Sequence, residues 1–296
     1  MIISDLHTHS SFSTDSEATQ EEMLDRAISL GLKTYCFTDH YDYIWPEQYE
    51  DRFIFDVDKY FEKLTALKQA YKGKIEVLIG VEEGLRNEPG LPEQVKSFYD
   101  EMNSKYPFDF VIGSSHILRY YDPYYEDYWS GKPAPGKDLG APDYAKNKER
   151  LSLEDGLREY FESILFNSKN YDNYDIYGHL DYIVRYAPGL SKEEKNYSPM
   201  DFKNIIDEIL KGIIAKGKGI EINTSGIKYG LGYTHPKKWI VKRYHELGGE
   251  IITVGSDAHQ KEHIAYGFDT AASVLENSGF KYYCIFRNRK PEFIKL

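Results

Sequence analysis

The chain is short of three things, and each shortage closes off a class of function. Only two of its 296 residues are cysteine. Cys36 and Cys284 lie in apolar stretches, TYCFTDH and YYCIFR, which reads as two buried free thiols in a reducing compartment rather than a disulfide framework. Long apolar runs are missing as well. Nothing approaches the ~20 residues needed to cross a bilayer, and no basic segment followed by an apolar one stands near the start. The expectation is a cytoplasmic protein with neither a signal peptide nor a membrane partner. The third shortage is positive charge: 37 Lys and Arg stand against 48 Asp and Glu, a formal net charge of −11. A nucleic-acid binder needs a basic footprint to neutralise phosphates, so no nucleic-acid partner is expected. The deficit does not count against a small phosphorylated substrate, because bound divalent cations would offset it locally.

Apolar material is plentiful but cut short. The residues are 41% hydrophobic and include 27 tyrosines, enough for a sizeable core with aromatic walls. Brief apolar runs recur as MIISDLH, TYCFTDH, IEVLIGVE, FDFVIGSSH, YDIYGHL, KGIEIN, IITVGSDAH and KYYCIF. Such runs suit buried parallel strands, which read as continuous rather than alternating hydrophobicity. Helical patterns separate them. ATQEEMLDRAISLGL places Thr19 and Glu22 at capping-box spacing, apolar residues at Met23, Leu24, Ala27 and Ile28, and Gly31 as a stop. A second pattern aligns Phe61, Leu64, Leu67 and Tyr71 before Gly73. Some seven such alternations predict βα units around a parallel sheet, either an open doubly wound sheet or a closed barrel. No internal repeat or linker divides residues 1–296, which read as one domain. A stretch rich in Tyr, Pro and Gly over about 119–150 reads as a loop insertion, of the length that functional lids have.

Most of the apolar runs end in a metal-ligand type. In chain order these are His7 and His9, Asp39 and His40, Glu82 and Glu83, His116, His179, and Asp257 with His259. In βα barrels, sites are assembled at the C-terminal ends of the strands, so six runs would aim one ring of ligands at a shared centre. That placement favours the barrel. Mixed nitrogen and oxygen donors without thiolates suit Zn²⁺, Mn²⁺ or Fe²⁺. A single catalytic zinc takes about three protein ligands, so this many candidates imply two to three divalent transition-metal ions. Closely spaced ions suit hydrolysis of a phosphate ester.

The pieces DLHTHS, Asp15, FTDH, GVE, SSH, GHLD and GSDAH, in that order, resemble the PHP (polymerase and histidinol phosphatase) superfamily over positions 5 to 259. The resemblance implies an α/β fold, a distorted (β/α)7 TIM-like barrel with a trinuclear metal site at its C-terminal rim. Carried over by position, His7, His9, Asp257 and Glu82 would hold one ion. Glu82 would bridge to a second ion on His116 and His179, and Asp15, His40 and His259 would hold a third. Glu82, Asp257 and His259 are the expected catalytic core. Asp15, the chain's length, and EINTSG followed by Lys228 resemble the histidinol-phosphatase branch. That branch implies hydrolysis of L-histidinol phosphate in histidine biosynthesis. The alternatives are a PHP phosphoesterase acting on nucleotides or another phosphorylated metabolite, and a non-catalytic metal-binding protein.

A dianionic phosphate calls for a cationic clamp, and Arg119, Arg185 and Lys228 are the expected candidates, with Asn223 and Ser225 as neighbouring substrate contacts. Asp39, Glu83 and Asp181 adjoin ligand positions and are expected to orient ligand imidazoles. His235 is expected to cap a helix or face solvent, His245 to sit on a helix away from any metal, and His263 to lie near the site.

Overall fold

The computed structural model describes residues 1–50 and 52–296. Local sequence signals account for the helix boundaries. At the first helix, α1 (Gln20–Ser29), the Thr19 hydroxyl accepts from the Glu22 N–H and the Glu22 carboxylate accepts from the Thr19 N–H, each at 3.3 Å, while Met23, Leu24 and Ala27 are buried. Asp56 caps α2 (Val57–Ala70), and Ser152 with Asp155 forms a second capping box at the start of α5 (Leu153–Asn170). The remaining helices are α3 (Pro92–Lys105), the short α4 (Glu126–Trp129), α6 (Lys203–Ala215), the short α7 (Ser225–Lys228), α8 (Lys238–Glu246) and α9 (Phe268–Ser278).

Between them run seven mutually parallel strands in sequential order: β1 (Ser4–Asp5), β2 (Thr34–Phe37), β4 (Glu76–Gly84), β5 (Phe110–Ser114), β6 (Ile176–Tyr177), β7 (Gly219–Asn223) and β8 (Ile252–Gly255). A two-residue strand, β3 (His40–Tyr41), extends the pairing of β4 and sets His40 opposite Glu82. The ends of the path meet: the Leu6 N–H donates to Val254 O at 3.2 Å, the Asp257 N–H to His7 O at 2.8 Å, and Thr8 pairs with Ala258. The sheet is therefore a nearly closed α/β barrel of seven strands, as expected, and its interior positions carry the site.

The last apolar run departs from expectation. KYYCIF forms β9 (Tyr282–Arg287), which pairs antiparallel with β10 (Lys290–Lys295) rather than joining the parallel barrel. A two-residue turn with φ of 49° at Asn288 and 64° at Arg289 reverses the chain, the conformation favoured in tight hairpins. This hairpin closes the N-terminal end of the barrel. Arg287 Nε donates to Glu76 at 2.7 Å, Asn288 N–H to Asp109 at 3.3 Å and Arg289 Nε to Asp175 at 2.6 Å, while Phe286 stacks on Phe110. Those three carboxylates stand at the starts of β4, β5 and β6, so the opposite end is left for chemistry. Residues 119–150 fold down against α5, where the buried Trp129 ring meets Gly156 and Trp129 Nε1 donates to Pro123 O at 2.9 Å. Among the described residues, no helix is long and apolar enough to cross a membrane.

Candidate metal centre

The C-terminal ends of the strands converge on one carboxylate. Glu82 Oε2 lies 2.9 Å from His40 Nδ1, 3.2 Å from His7 Nε2 and 3.6 Å from His9 Nε2. Its Oε1 lies 2.9 Å from His179 Nε2, 3.1 Å from His116 Nε2 and 2.6 Å from the Ser114 hydroxyl. Asp257 Oδ1 stands 3.3 Å from His9 Nε2, and Asp15 Oδ2 stands 3.0 Å from His259 Nε2. The His9 ring is stacked between those of His40 and His259, with centroids 4.1 Å away on each side. All nine candidate ligand residues thus meet in one cluster, buried around Glu82, with His40 and His259 half-buried and Asp15 exposed at its rim. Donor atoms approach closely enough to share an ion in the sets His7–His9–Glu82, Glu82–His116–His179 and His9–His40–His259, and also in His40–Asp42–His116.

The donor set fits bound divalent cations. His7 Nε2, His9 Nε2, His40 Nδ1 and Glu82 Oε2 are buried without a hydrogen-bond partner, although they face one another. Buried polar atoms are almost always satisfied, and lone pairs directed at a common point are satisfied by a shared cation. Burial alone would raise the Glu82 pKa, but the imidazoles of His7, His116 and His40 outweigh it and hold the carboxyl well below its ordinary range. Burial, followed by the neighbouring His40 and His259, pushes His9 well below the usual imidazole value, which keeps its lone pair free to ligate.

A carboxylate on the other nitrogen aims two of the imidazoles. His7 Nδ1 is 2.9 Å from Glu221 Oε2, and His116 Nδ1 is 2.9 Å from Asp42 Oδ1. Glu221 also accepts from the His179 N–H at 2.8 Å. Neither Glu221 nor Asp42 was among the residues singled out from the sequence, yet a signal existed for both: Glu221 lies two residues from Asn223 on the same side of β7, and Asp42 follows His40 by two residues, just past the end of β3. Two glycines make these contacts possible. A Cβ at Gly84 would collide with the Asp42 carboxylate, and one at Gly255 with the His7 Cβ. Asp257 adopts φ of 55°, a conformation that aspartate tolerates better than most residues. It is held there because its N–H donates to His7 O and its carbonyl accepts from Lys228 Nζ at 2.8 Å.

Several expectations need correction. Arg119 does not face the site: its Nε pairs with Glu159 at 2.6 Å and its Nη2 donates to Tyr128 O, so the guanidinium is spent on anchoring the insertion to α5. Lys228 and Asn223 act on Asp257 rather than standing free, because Asn223 Nδ2 donates to Asp257 Oδ2 at 3.3 Å and to Glu221 Oε1 at 3.2 Å. Burial lowers the Lys228 pKa to about 8. Glu83 points to the other side of β4, onto Asn103 at 2.8 Å, as the alternation of a strand requires. Asp181 orients His235, not His179. His235 is fully buried with Nδ1 2.6 Å from Asp181 Oδ1, neither capping a helix nor facing solvent. Asp39 accepts from the N–H and hydroxyl groups of Ser10 and Ser13, and reaches His9 only through Ser13.

Above the cluster opens a cavity of about 800 Å³. Arg185 reaches into it: Nη1 donates to the Ser225 hydroxyl at 3.2 Å, the guanidinium lies over the Tyr229 ring at 4.4 Å, and the buried Nε has no partner. His263 also lines the cavity, while His245 packs against Phe280 far from the cluster. Asp122, from the insertion, forms part of the wall, and burial raises its pKa to about 6.

A sequence model of the PHP domain matches residues 5–225. The chain belongs to the PHP domain family. The probable histidinol-phosphatase of Clostridium acetobutylicum is 34% identical over 282 residues, covering 95% of each chain. The histidinol-phosphatase of Lactococcus lactis subsp. lactis is 30% identical over 291 residues, covering 97% of this chain and 95% of that one. The crystal structure of histidinol phosphate phosphatase from Lactococcus lactis subsp. lactis, complexed with zinc, L-histidinol and phosphate, superposes with a TM-score of 0.78 at 29% identity, covering 98% of both chains. Asp257 and His259 lie beyond the segment matched to the PHP domain, yet β8 brings them beside residues from β1.

Proposed function

We propose that this protein is a metal-dependent phosphomonoesterase that hydrolyses L-histidinol phosphate to L-histidinol and phosphate. The observation that carries the reading is the Glu82 carboxylate with five imidazoles gathered round its two oxygens. The relatives named above, and the zinc, histidinol and phosphate held by the Lactococcus structure, support the substrate.

In this reading residues 1–296 are one domain and the centre holds two to three divalent ions, zinc, iron or manganese. His7, His9, Asp257 and Glu82 form one ligand set, Glu82, His116 and His179 a second, and Asp15, His40 and His259 a third. When bound, such ions supply Lewis acidity toward phosphoryl oxygens and a water ionised near neutral pH. Glu82 ties two sets at a fixed spacing, and Asp257 and His259 link the first to the third. Glu221 and Asp42 keep the His7 and His116 rings in the tautomer whose Nε2 lone pair faces inward. Arg185 presents a planar fork to the phosphate; Ser225 and the tyrosines around it restrict its rotamers, so little orientation is lost on binding. Neither Ser114 nor Ser115 acts as a nucleophile: Ser114 is committed to Glu82, and Ser115 to Tyr177 and Asn167.

The test is phosphate release from a panel of phosphomonoesters by protein purified without chelators, with metal content measured on the same sample. Histidinol phosphate is expected to be the preferred ester and at least two ions to be bound per chain. Turnover of nucleotides with none of histidinol phosphate would overturn the substrate, and fewer than two ions in active protein would overturn the multinuclear centre.

A further inference from the structure

Four carboxylates line the cavity above the metal cluster: Asp15, Asp42, Asp122 and Asp257. Three are committed. Asp15 faces His259 at 3.0 Å, Asp42 holds His116 at 2.9 Å and Asp257 faces His9 at 3.3 Å. Asp122 is different. Among the described residues it makes no ion pair, and its one side-chain hydrogen bond is accepted by Oδ1 from the Tyr124 N–H at 2.8 Å. The carboxylate is held where it stands, because its own N–H donates to the Tyr49 hydroxyl at 3.2 Å and Tyr49 stacks on Tyr125 at 4.4 Å. This joins the insertion to the loop that carries Trp45 and Phe53, whose rings lie 4.7 Å apart on the same cavity wall. Trp45 Nε1 is buried without an acceptor.

The wall therefore offers one uncommitted anion and an aromatic surface, both beside a site built for cations. An ammonium group close to a phosphate ester would be repelled by bound divalent ions unless a carboxylate stood beside it. A flat aromatic ring suits the Trp45–Phe53 surface.

We propose that Asp122 is a specificity-determining residue that receives the substrate's ammonium group, with Trp45 and Phe53 taking the ring beside it. The cavity thereby selects phosphomonoesters of cationic, aromatic amino alcohols. This rests on the phosphatase reading above and adds the residue that reads the leaving group.

The test compares kcat/KM for histidinol phosphate with that for its deamino analogue, 3-(imidazol-4-yl)propyl phosphate, in wild type and Asp122→Asn. Asparagine keeps the acceptor that the Tyr124 N–H needs, so the turn survives and only the charge is lost. The ratio of the two kcat/KM values should fall roughly 10- to 100-fold, the range of a lost charge-assisted hydrogen bond. The loss should appear chiefly in KM for the aminated ester, and Asp122→Glu should restore part of the ratio. A ratio that does not move, with both esters declining together or neither declining, overturns the role of Asp122 and leaves the phosphatase reading standing. Metal-loaded wild type that is inactive on both esters would overturn the two together.

Discussion

Glu82 and the residues that aim its neighbours do different work, and substitution separates them. Glu82→Gln keeps the shape but removes the charge shared by the two ligand sets. Bound metal should fall by about one or more ions per chain and phosphate release by more than roughly 100-fold, read by elemental analysis and a phosphate assay on the same preparation. Asp42→Asn leaves every proposed ligand in place and disturbs only the tautomer of His116. Metal affinity should weaken by about 10- to 100-fold, measured by competition with a metal-binding dye, and excess metal should restore most of the activity. Asp122 adds a pH effect. Burial raises its pKa to about 6, so the carboxylate is charged above that value and neutral below it. Divalent ions at the cluster favour the charged carboxylate, so KM for histidinol phosphate should rise only as the pH drops below that value. The deamino analogue shares the phosphate ionisation but not the ammonium, so it should lack that part of the profile; identical profiles for the two esters would contradict the effect.

At the scale of elements, the hairpin of β9 and β10 stabilises the barrel from the end opposite the site. Asp175 is almost fully buried and burial pushes its pKa up, while Arg289 opposes that shift from 2.6 Å away. Arg289→Ala would leave that carboxylate facing an empty position, at a cost of about 1–3 kcal/mol. Chemical denaturation should read the loss as a lower midpoint with kcat nearly unchanged, since no cavity residue moves. The same elements show where local sequence signals suffice. The Thr19–Glu22 box and the glycine stops depend on neighbours a few residues away, so they are visible in the chain. The pairing partner of KYYCIF is not. Its apolar character is shared by barrel and hairpin strands, and tertiary contacts tie it to the barrel's end as a hairpin: the arginines meeting Glu76 and Asp175, Asn288 on Asp109 and Phe286 on Phe110.

For the whole molecule, metal and fold are coupled. The cluster gathers three carboxylates and six imidazoles from strands spread over the whole sheet, and cations bound there favour the folded state by mass action. At a free metal concentration near a thousand times Kd, one site contributes about 4 kcal/mol. Chelator treatment should therefore lower the melting temperature, and zinc or manganese, but not magnesium at equal concentration, should restore it. An unchanged melting curve after complete metal removal would mean that the cluster binds too weakly to matter.

The sequence alone determined the alternation of strand and helix and favoured the barrel through the ligand types ending its strands, and the PHP resemblance added Asp15 and chose Glu82 to complete the nine residues that meet at the centre. The alternation and most of the ligands follow from periodicity and from chemistry written at strand ends, which survive without knowledge of the partners. Tertiary structure alone decided the rest. It turned Arg119 toward Glu159, gave Asp181 to His235, and set Asn223 and Lys228 to hold Asp257. It also left Arg185 Nε without a partner and Asp122 without an ion pair in the cavity. Whether a charged side chain is free or spent depends on which residues, far along the chain, lie within hydrogen-bond reach, and spacing along the sequence carries no record of that distance.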